Sequence, residues 1–315
     1  MSRQAVARPQ RARAPSVRAN RGLVLSVWRA RTLYLMVAPA VIYFAVFTYY
    51  PLIKALVMSF QDYRLIGFSP PAGFANYQAV LADPVFWQVL VNTCVIGGGL
   101  LVVGFVLPLL IAVSLREVKQ RFFARAAQSV IYLPHLFSWV VVGGIWIYLL
   151  QPNGGLVNAI IEWLGGRPIP FLQLPDVARA SLVGIGVWKD MGFNAIIFIA
   201  GLAGVERALY EAARVDGAGR WDQFIHVTLP GLTNTMKVVL IFNLLGFFGV
   251  FQEIYIMDNP AIDQNVNVLM TYLYHQGIGN FQFGYVAAAS FIVAAATLLV
   301  VAPLAVLFRF DLPRL

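Results

Sequence analysis

Six stretches of predominantly apolar residues, each near the ~20 residues a helix needs to cross ~30 Å of hydrocarbon, decide what this chain can fold into. They run roughly over 33–53, 89–115, 126–150, 181–202, 238–257 and 285–308. Hydrophobic residues make up 60% of the 315 and charged residues only 12%, about half the charged share of a soluble domain. A soluble core could not hide so much apolar surface, so the solvent is a membrane. The expected fold class is all-α: a polytopic membrane protein of six transmembrane helices. Pro39 and Pro51 fall in the first span, Pro108 in the second and Pro134 in the third. Neighbouring helices can satisfy the backbone groups a proline frees, so these are expected to be tolerated. Cys94 is the single cysteine, which excludes an internal disulfide and a cysteine metal cluster.

Where Lys and Arg fall sets the orientation. Eight arginines lie between Arg3 and Arg31, before the first span. The loop after the second span carries Arg116, Lys119, Arg121 and Arg125; the segment between the fourth and fifth carries Arg207, Arg214, Arg220 and Lys237; the end carries Arg309 and Arg314. The other three loops hold only Arg64, Arg167 and Arg179, with Lys54 at the rim of the first span. Both termini are therefore expected in the cytoplasm, with residues 1–31 a basic tail and 32–315 the membrane domain. The net charge of +9 is a topology signal, because most of the basic residues sit in the tail and short loops; a nucleic-acid partner is not expected. The first span is too long for a secretory signal core, and Tyr49-Tyr50-Pro51-Leu52 offers no small-residue cleavage site.

Between the fourth and fifth spans, about 205–232, lies the most informative segment. Residues 206–215 are rich in Ala and Glu and should be helical. Gly217 and Gly219 can both take positive φ, so the helix is expected to end there and the chain to turn. Asp222 would lie in the first turn of a second short helix, where the dipole favours a carboxylate. Phe224, Ile225, Val227 and Leu229 make that piece apolar, and Pro230 closes it. Two short helices at an elbow form a knob that packs on its own bundle or docks into a partner.

Glu211-Ala212-Ala213, then Gly217, then Val227-Thr228-Leu229-Pro230 resembles the EAA loop of ABC importer permeases, with Val where the pattern has Ile. Asp216-Gly217-Ala218 and Phe224 resemble the carbohydrate-uptake branch. Phe74-Ala75-Asn76-Tyr77, Asp83-Pro84-x-Phe86-Trp87 and Asn92-Thr93 resemble the first external loop and second span of sugar permeases. Tyr132-Leu133-Pro134-His135, Gly154-Gly155-Leu156-Val157-Asn158 and Thr271-Tyr272-x-Tyr274 resemble a narrower group that handles polysaccharide fragments, including uronate oligosaccharides. The resemblance implies that the elbow is a coupling helix seated in a cleft of an ATPase subunit, with Glu211, Ala212, Ala213, Asp216 and Gly217 as coupling residues. It also implies the partners: a second related permease, two ATP-binding subunits, an extracytoplasmic solute-binding protein and an oligosaccharide substrate, at the bacterial inner membrane.

The chain has no Gly-x4-Gly-Lys-Ser/Thr loop, and Gly97-Gly98-Gly99 lies inside a span with no lysine following. ATP and Mg are therefore expected on separate subunits, and no cofactor or metal on this chain. Charged and polar residues inside spans are functional candidates because they are costly there. In the fourth span these are Trp188, Lys189, Asp190 and Asn194, and in the fifth Asn243, Gln252, Glu253 and Tyr255. Phe193, Phe247, Phe248 and Phe251 could face sugar rings. Adjacent residues diverge by about 100° on a helix, so Lys189 and Asp190 are not expected to face each other. Lys189 and Glu253 fall at similar depth and could pair. The rival readings are an ion-coupled secondary transporter, which calls for repeated halves and interrupted helices, a non-transporting scaffold, and a membrane enzyme. No internal repeat or catalytic constellation supports them.

Overall fold

The computed structural model describes residues 31–307. The basic tail before Arg31, the end of the sixth apolar run, Arg309 and Arg314 lie outside the described residues. The chain divides into two units, Met1–Ala55 and Leu56–Leu315. Among the described residues the regular elements are helical, apart from one isolated bridge between Gln61 and Pro71.

The first unit is apolar helix: α1 (Arg31–Phe44), one wide π turn (Ala45–Tyr49), and the start of α2 (Tyr50–Ser59). Pro51 has no N–H to give to the turn before it. The ladder widens at that point, and the Tyr50 N–H reaches Ala45 O, five residues back. Pro39 sits inside α1 without ending it.

In the second unit, α3 (Ala75–Ala82) leads to α4 (Pro84–Glu117), which Asp83 caps by accepting the Val85 N–H at 2.8 Å. Then come α5 (Arg121–Tyr132), α6 (Trp139–Leu149), α7 (Leu156–Trp163) and α8 (Pro175–Ala203). The short helices α9 (Arg207–Val215), α10 (Arg220–Gln223) and α11 (Leu229–Gly231) precede α12 (Thr233–Gly246) and α13 (Gln252–Met257). After α14 (Asp263–Val266) and α15 (Leu269–Tyr274), α16 (Phe283–Leu307) closes the described chain.

Helices α4 and α8 form the axis of this unit. Small residues let them approach: a Cβ on Gly99 would meet Val183 Cγ2 at 2.9 Å, and one on Gly186 would meet Leu100 Cδ2 at 2.6 Å. Three apolar clusters surround the pair. One joins Ile96, Leu182 and Ile185 to Ile254 and Met257; a second joins Phe86 and Val89 to Leu269 and Ala288; the third joins Leu109, Phe198 and Val239.

Among the described residues, four helical stretches are long and apolar enough to span a membrane, and two bent pairs reach that length only when taken together. The third apolar run is therefore not one straight span. Pro134 opens the helix into a 3₁₀ turn (Leu133–Leu136), Ser138 caps a fresh start, and α6 leaves at 100° to the segment before it. The other bent pair turns by 67° between Arg220–Gly231 and Thr233–Gly249, before the fifth run, and the fifth run is itself interrupted. Helix α12 tightens into a 3₁₀ turn (Phe247–Gly249), and Phe251 turns out of helical geometry at φ −145°, ψ −63° before α13 begins.

The segment between α13 and α16 is fastened by distant side chains. Asn92 Nδ2 donates to Gln264 O and Asn267 O, both at 3.0 Å, and Arg179 donates to Asn265 O at 2.8 Å and to Asn92 Oδ1 at 2.9 Å. Asp83 accepts from the hydroxyls of Tyr272 at 2.5 Å and Tyr285 at 2.9 Å. Burial alone would raise its carboxyl pKa, but these hydroxyls and the Val85 N–H outweigh burial and lower it.

Asn158 holds the turn between α6 and α8. It is 1% exposed, donates to Gln151 O and Ile169 O, each at 3.0 Å, and accepts the Ile169 N–H at 2.7 Å. Asn158→Ala takes the side-chain partner from three backbone groups of this turn and is expected to cost about 1–3 kcal/mol. Thermal unfolding of the detergent-solubilised complex reads this as a lower midpoint, and an unchanged midpoint would refute it.

Candidate functional site

The elbow after α8 is built from local rules. α9 ends in a Schellman turn: Gly217 takes φ +81°, the Ala218 N–H reaches Ala213 O at 2.8 Å, and the Gly217 N–H reaches Arg214 O at 3.1 Å. Gly219 does not share the positive φ expected for it. It lies at φ −69°, ψ 175° as the residue before α10, and its N–H is taken by the Asp222 carboxylate at 3.2 Å. A second π turn (Phe224–Thr228) precedes Pro230 as the first precedes Pro51, with the Leu229 N–H bonded to Phe224 O.

The two arms are held together by the Tyr210 hydroxyl, 2.9 Å from Thr228 Oγ1. Arg116, from the end of α4, donates to the same hydroxyl and lies 4.1 Å over the Tyr210 ring. Glu211, Ala212, Asp216 and Gly217 are exposed and Ala213 is half-buried. The most prominent apolar groups on the elbow are Val215, 88% exposed, and Trp221, 68% exposed and packed against Phe224. Two large apolar groups left on a polar knob are what a docking surface presents. The sequence pattern drew attention to the glycines and alanines and passed over these two; their signal was the placing of an apolar residue on each side of the turn.

The second assembly lies beside the broken helices. A cavity of about 490 Å³ is lined by Asp190, Asn194, Asn243, Gln252 and Glu253, with Phe247, Phe251 and several glycines. Of the expected pathway residues, Trp188, Lys189 and Tyr255 stand outside this lining. Trp188 packs edge-on to Trp146, and Tyr255 stacks on Phe251 with ring centroids 5.2 Å apart. Phe193 stacks on His135 at 4.9 Å, and Phe248 packs against the second apolar cluster. Asn194 donates to Gly104 O at 3.1 Å and to Asn243 Oδ1 at 3.4 Å, while Asn243 Nδ2 has no hydrogen-bond partner among the described residues.

Lys189 and Asp190 do meet, contrary to the divergence expected of neighbours on a helix. The long lysine arm bends back, so that Nζ lies 3.6 Å from Asp190 Oδ1 and 3.4 Å from His135 O. His135 Nδ1 lies 2.8 Å from the same carboxylate oxygen, and the Trp139 ring lies 5.2 Å from the ammonium. The pairing of Lys189 with Glu253 is not made; the lysine turns toward the broken end of α5. His135 escaped the sequence reading because the partner it needs is 55 residues away.

The Lys189 side chain is 8% exposed and Asp190 50%. Asp190→Asn removes the countercharge of a buried ammonium and should cost about 1–3 kcal/mol, the exposed half of the pair being screened. Adding Lys189→Met should recover most of that loss. Unfolding midpoints of the two single variants and the double give the coupling, and strictly additive losses would show that the pair is not linked.

The family model for binding-protein-dependent transport system inner membrane components matches residues 79–314. The chain belongs to that family. This permease is 34% identical over 284 residues to the polygalacturonan/rhamnogalacturonan transport system permease protein YteP of Bacillus subtilis, covering 89% of this chain and 88% of the relative. It is 35% identical over 269 residues to the arabinooligosaccharides transport system permease protein AraP of the same organism, covering 85% of each. Its fold superposes with a TM-score of 0.83 and 31% identity on a chain from the crystal structure of a bacterial alginate ABC transporter in complex with an alginate pentasaccharide-bound periplasmic protein, covering 90% of this chain and 95% of that one. The family and fold make the permease a multi-pass subunit of an ABC importer.

Proposed function

We propose that the permease carries an oligosaccharide across the bacterial inner membrane by alternating access, with both termini and the elbow in the cytoplasm. ATP and Mg are handled by separate subunits that seat the elbow. Closure of those subunits pushes on 205–232, and the bundle rocks between inward-open and outward-open states. A second related permease completes the pathway, two ATP-binding subunits power it, and an extracytoplasmic solute-binding protein delivers the sugar.

The observation that carries this reading is the elbow: the EAA pattern folded into a Schellman turn, with Val215 and Trp221 bare at its tip. Glu211, Ala212, Ala213, Asp216 and Gly217 shape that turn, and their role in coupling is part of the proposal. The substrate class is argued from two sides. The relatives named above are labelled for polygalacturonan, arabinooligosaccharides and alginate. The cavity offers amides, carboxylates and aromatic faces, the groups that bind sugar hydroxyls and ring faces.

Proteoliposomes holding the whole transporter and its binding protein test it. Uptake of a labelled oligosaccharide should require internal ATP and stop when the ATPase subunits cannot hydrolyse it. Uptake driven by an ion gradient without ATP would favour the secondary-transporter reading, for which the interrupted α5–α6 and α12–α13 would then be the coupling sites.

A further inference from the structure

A second cavity, of about 610 Å³, lies between the end of α4 and the inner face of the elbow, away from the polar cavity. On α9, Arg207, Tyr210, Glu211 and Arg214 follow one another at spacings of three, one and three and share one stripe of the helix. This stripe lines the cavity; Arg116, Glu117 and Lys119 face it from α4 and the loop beyond, and Arg220 closes it. Five cations thus surround one space that holds two carboxylates.

The carboxylates do not neutralise them. Glu117 lies 3.8 Å from Arg220, and Arg116 is engaged with Tyr210. Among the described residues, Lys119, Arg207 and Arg214 have no acidic partner within 4.0 Å. Like charges crowded around a cavity repel one another unless an anion enters, and guanidinium forks match the oxygens of a phosphate. The neighbouring start of α5 carries Arg121 and Arg125, in its first two turns, with Phe122, 87% exposed, and Phe123. Aromatic and basic side chains together are the composition of a helix end at a lipid headgroup layer.

We infer that this cavity binds a phosphate-bearing anion, held by Lys119, Arg207 and Arg214, which braces the elbow against α4. The phosphate can come from an anionic phospholipid headgroup or from solution. A docked acidic segment of an ATPase subunit is the competing occupant. It is disfavoured because Val215 and Trp221 give the elbow a separate exposed apolar face, whereas the arginine stripe lines the space shared with the end of α4.

The test uses the assembled transporter, with its ATPase subunits, in nanodiscs of phosphatidylcholine doped with phosphatidylglycerol. Native mass spectrometry after release reads retained phosphatidylglycerol, and the unfolding midpoint in pure phosphatidylcholine reads the response to millimolar inorganic phosphate. Retained phosphatidylglycerol identifies a lipid source, and a phosphate-induced rise in midpoint without retained lipid identifies a soluble one. In either case Arg207→Gln/Arg214→Gln should weaken binding about tenfold or more, the loss of charge-assisted hydrogen bonds. Lys119→Gln should weaken it less, and Arg121→Gln/Arg125→Gln should leave it unchanged. Lys119→Gln alone decides if the double variant fails to assemble. The inference fails if neither anion registers, if the variants bind as well as the parent, or if Arg207→Gln/Arg214→Gln sheds the ATPase subunits while still binding the anion. Each readout is independent of transport, so failure here leaves the proposed function standing.

Discussion

Trp221→Asp is expected to release the ATPase subunits from the transporter. The indole is 68% exposed on the elbow, and Val215 at the end of α9 is 88% exposed. A bare tryptophan next to a rigid turn fits the centre of an interface, where such residues commonly contribute 2 kcal/mol or more and a charge finds no partner. That corresponds to a loss of affinity of at least ~30-fold. Because Trp221 is mostly exposed and packs its ring on Phe224 of the same arm, the fold should survive the change. Co-purification of the ATPase subunits measures the effect, with membrane insertion and unfolding midpoint as controls. Retained stoichiometry and affinity would mean that the tip does not dock.

Gly192→Leu is expected to prevent the bundle from folding. A Cβ at this position would lie 2.3 Å from Ile131 O and 2.6 Å from Tyr132 Cα. Both are backbone atoms of the segment leading into the break, so neither can swing aside. Even Gly192→Ala forces α8 and α5 apart, and overpacking of this kind costs about 1–3 kcal/mol or more. The strain falls beside His135, Asp190 and Lys189, whose contacts depend on the same approach. Expression and gel filtration in detergent should show aggregated or degraded Gly192→Leu chain and a lowered midpoint for Gly192→Ala. A monodisperse Gly192→Leu complex with the parent's midpoint would contradict this packing.

These effects show which parts of the structure were legible in the sequence. The first, second and fourth apolar runs and the described part of the sixth fall on continuous helical stretches, because length and hydropathy suffice to mark a span. The third and fifth runs deceived because hydropathy does not register a break in the helix. Pro134 marked a possible break, but Pro108 sits inside an unbroken α4, so proline alone could not tell the two cases apart. Phe251 gave no sign at all. The turn at Gly217 was legible because a Schellman cap is written within six residues. Gly219 misled because a glycine can also stand before a helix, in extended backbone, though it is commoner after one.

The polar network was legible by composition but not by pairing. Lys189 and Asp190 drew notice as charges inside a span, yet their shared partner comes from α5's end, 54 and 55 residues away in sequence. Arg179 and Asn92, 87 residues apart, likewise make sense only once the segment after α13 folds over them. Contacts of that separation are set by tertiary packing, which no local pattern specifies.

The coupling role of the elbow is decided most directly by oligosaccharide-stimulated ATPase activity of the reconstituted transporter bearing Gly217→Val. A β-branched residue at φ +81° is strained by roughly 1–3 kcal/mol, and it redirects the chain between Val215 and Trp221 while touching nothing else. Stimulation should fall to the basal rate, with uptake lost in step, and Glu211→Ala should reduce both. Full stimulation and uptake in Gly217→Val, with its ATPase subunits in place, would mean that force reaches the membrane helices by another route.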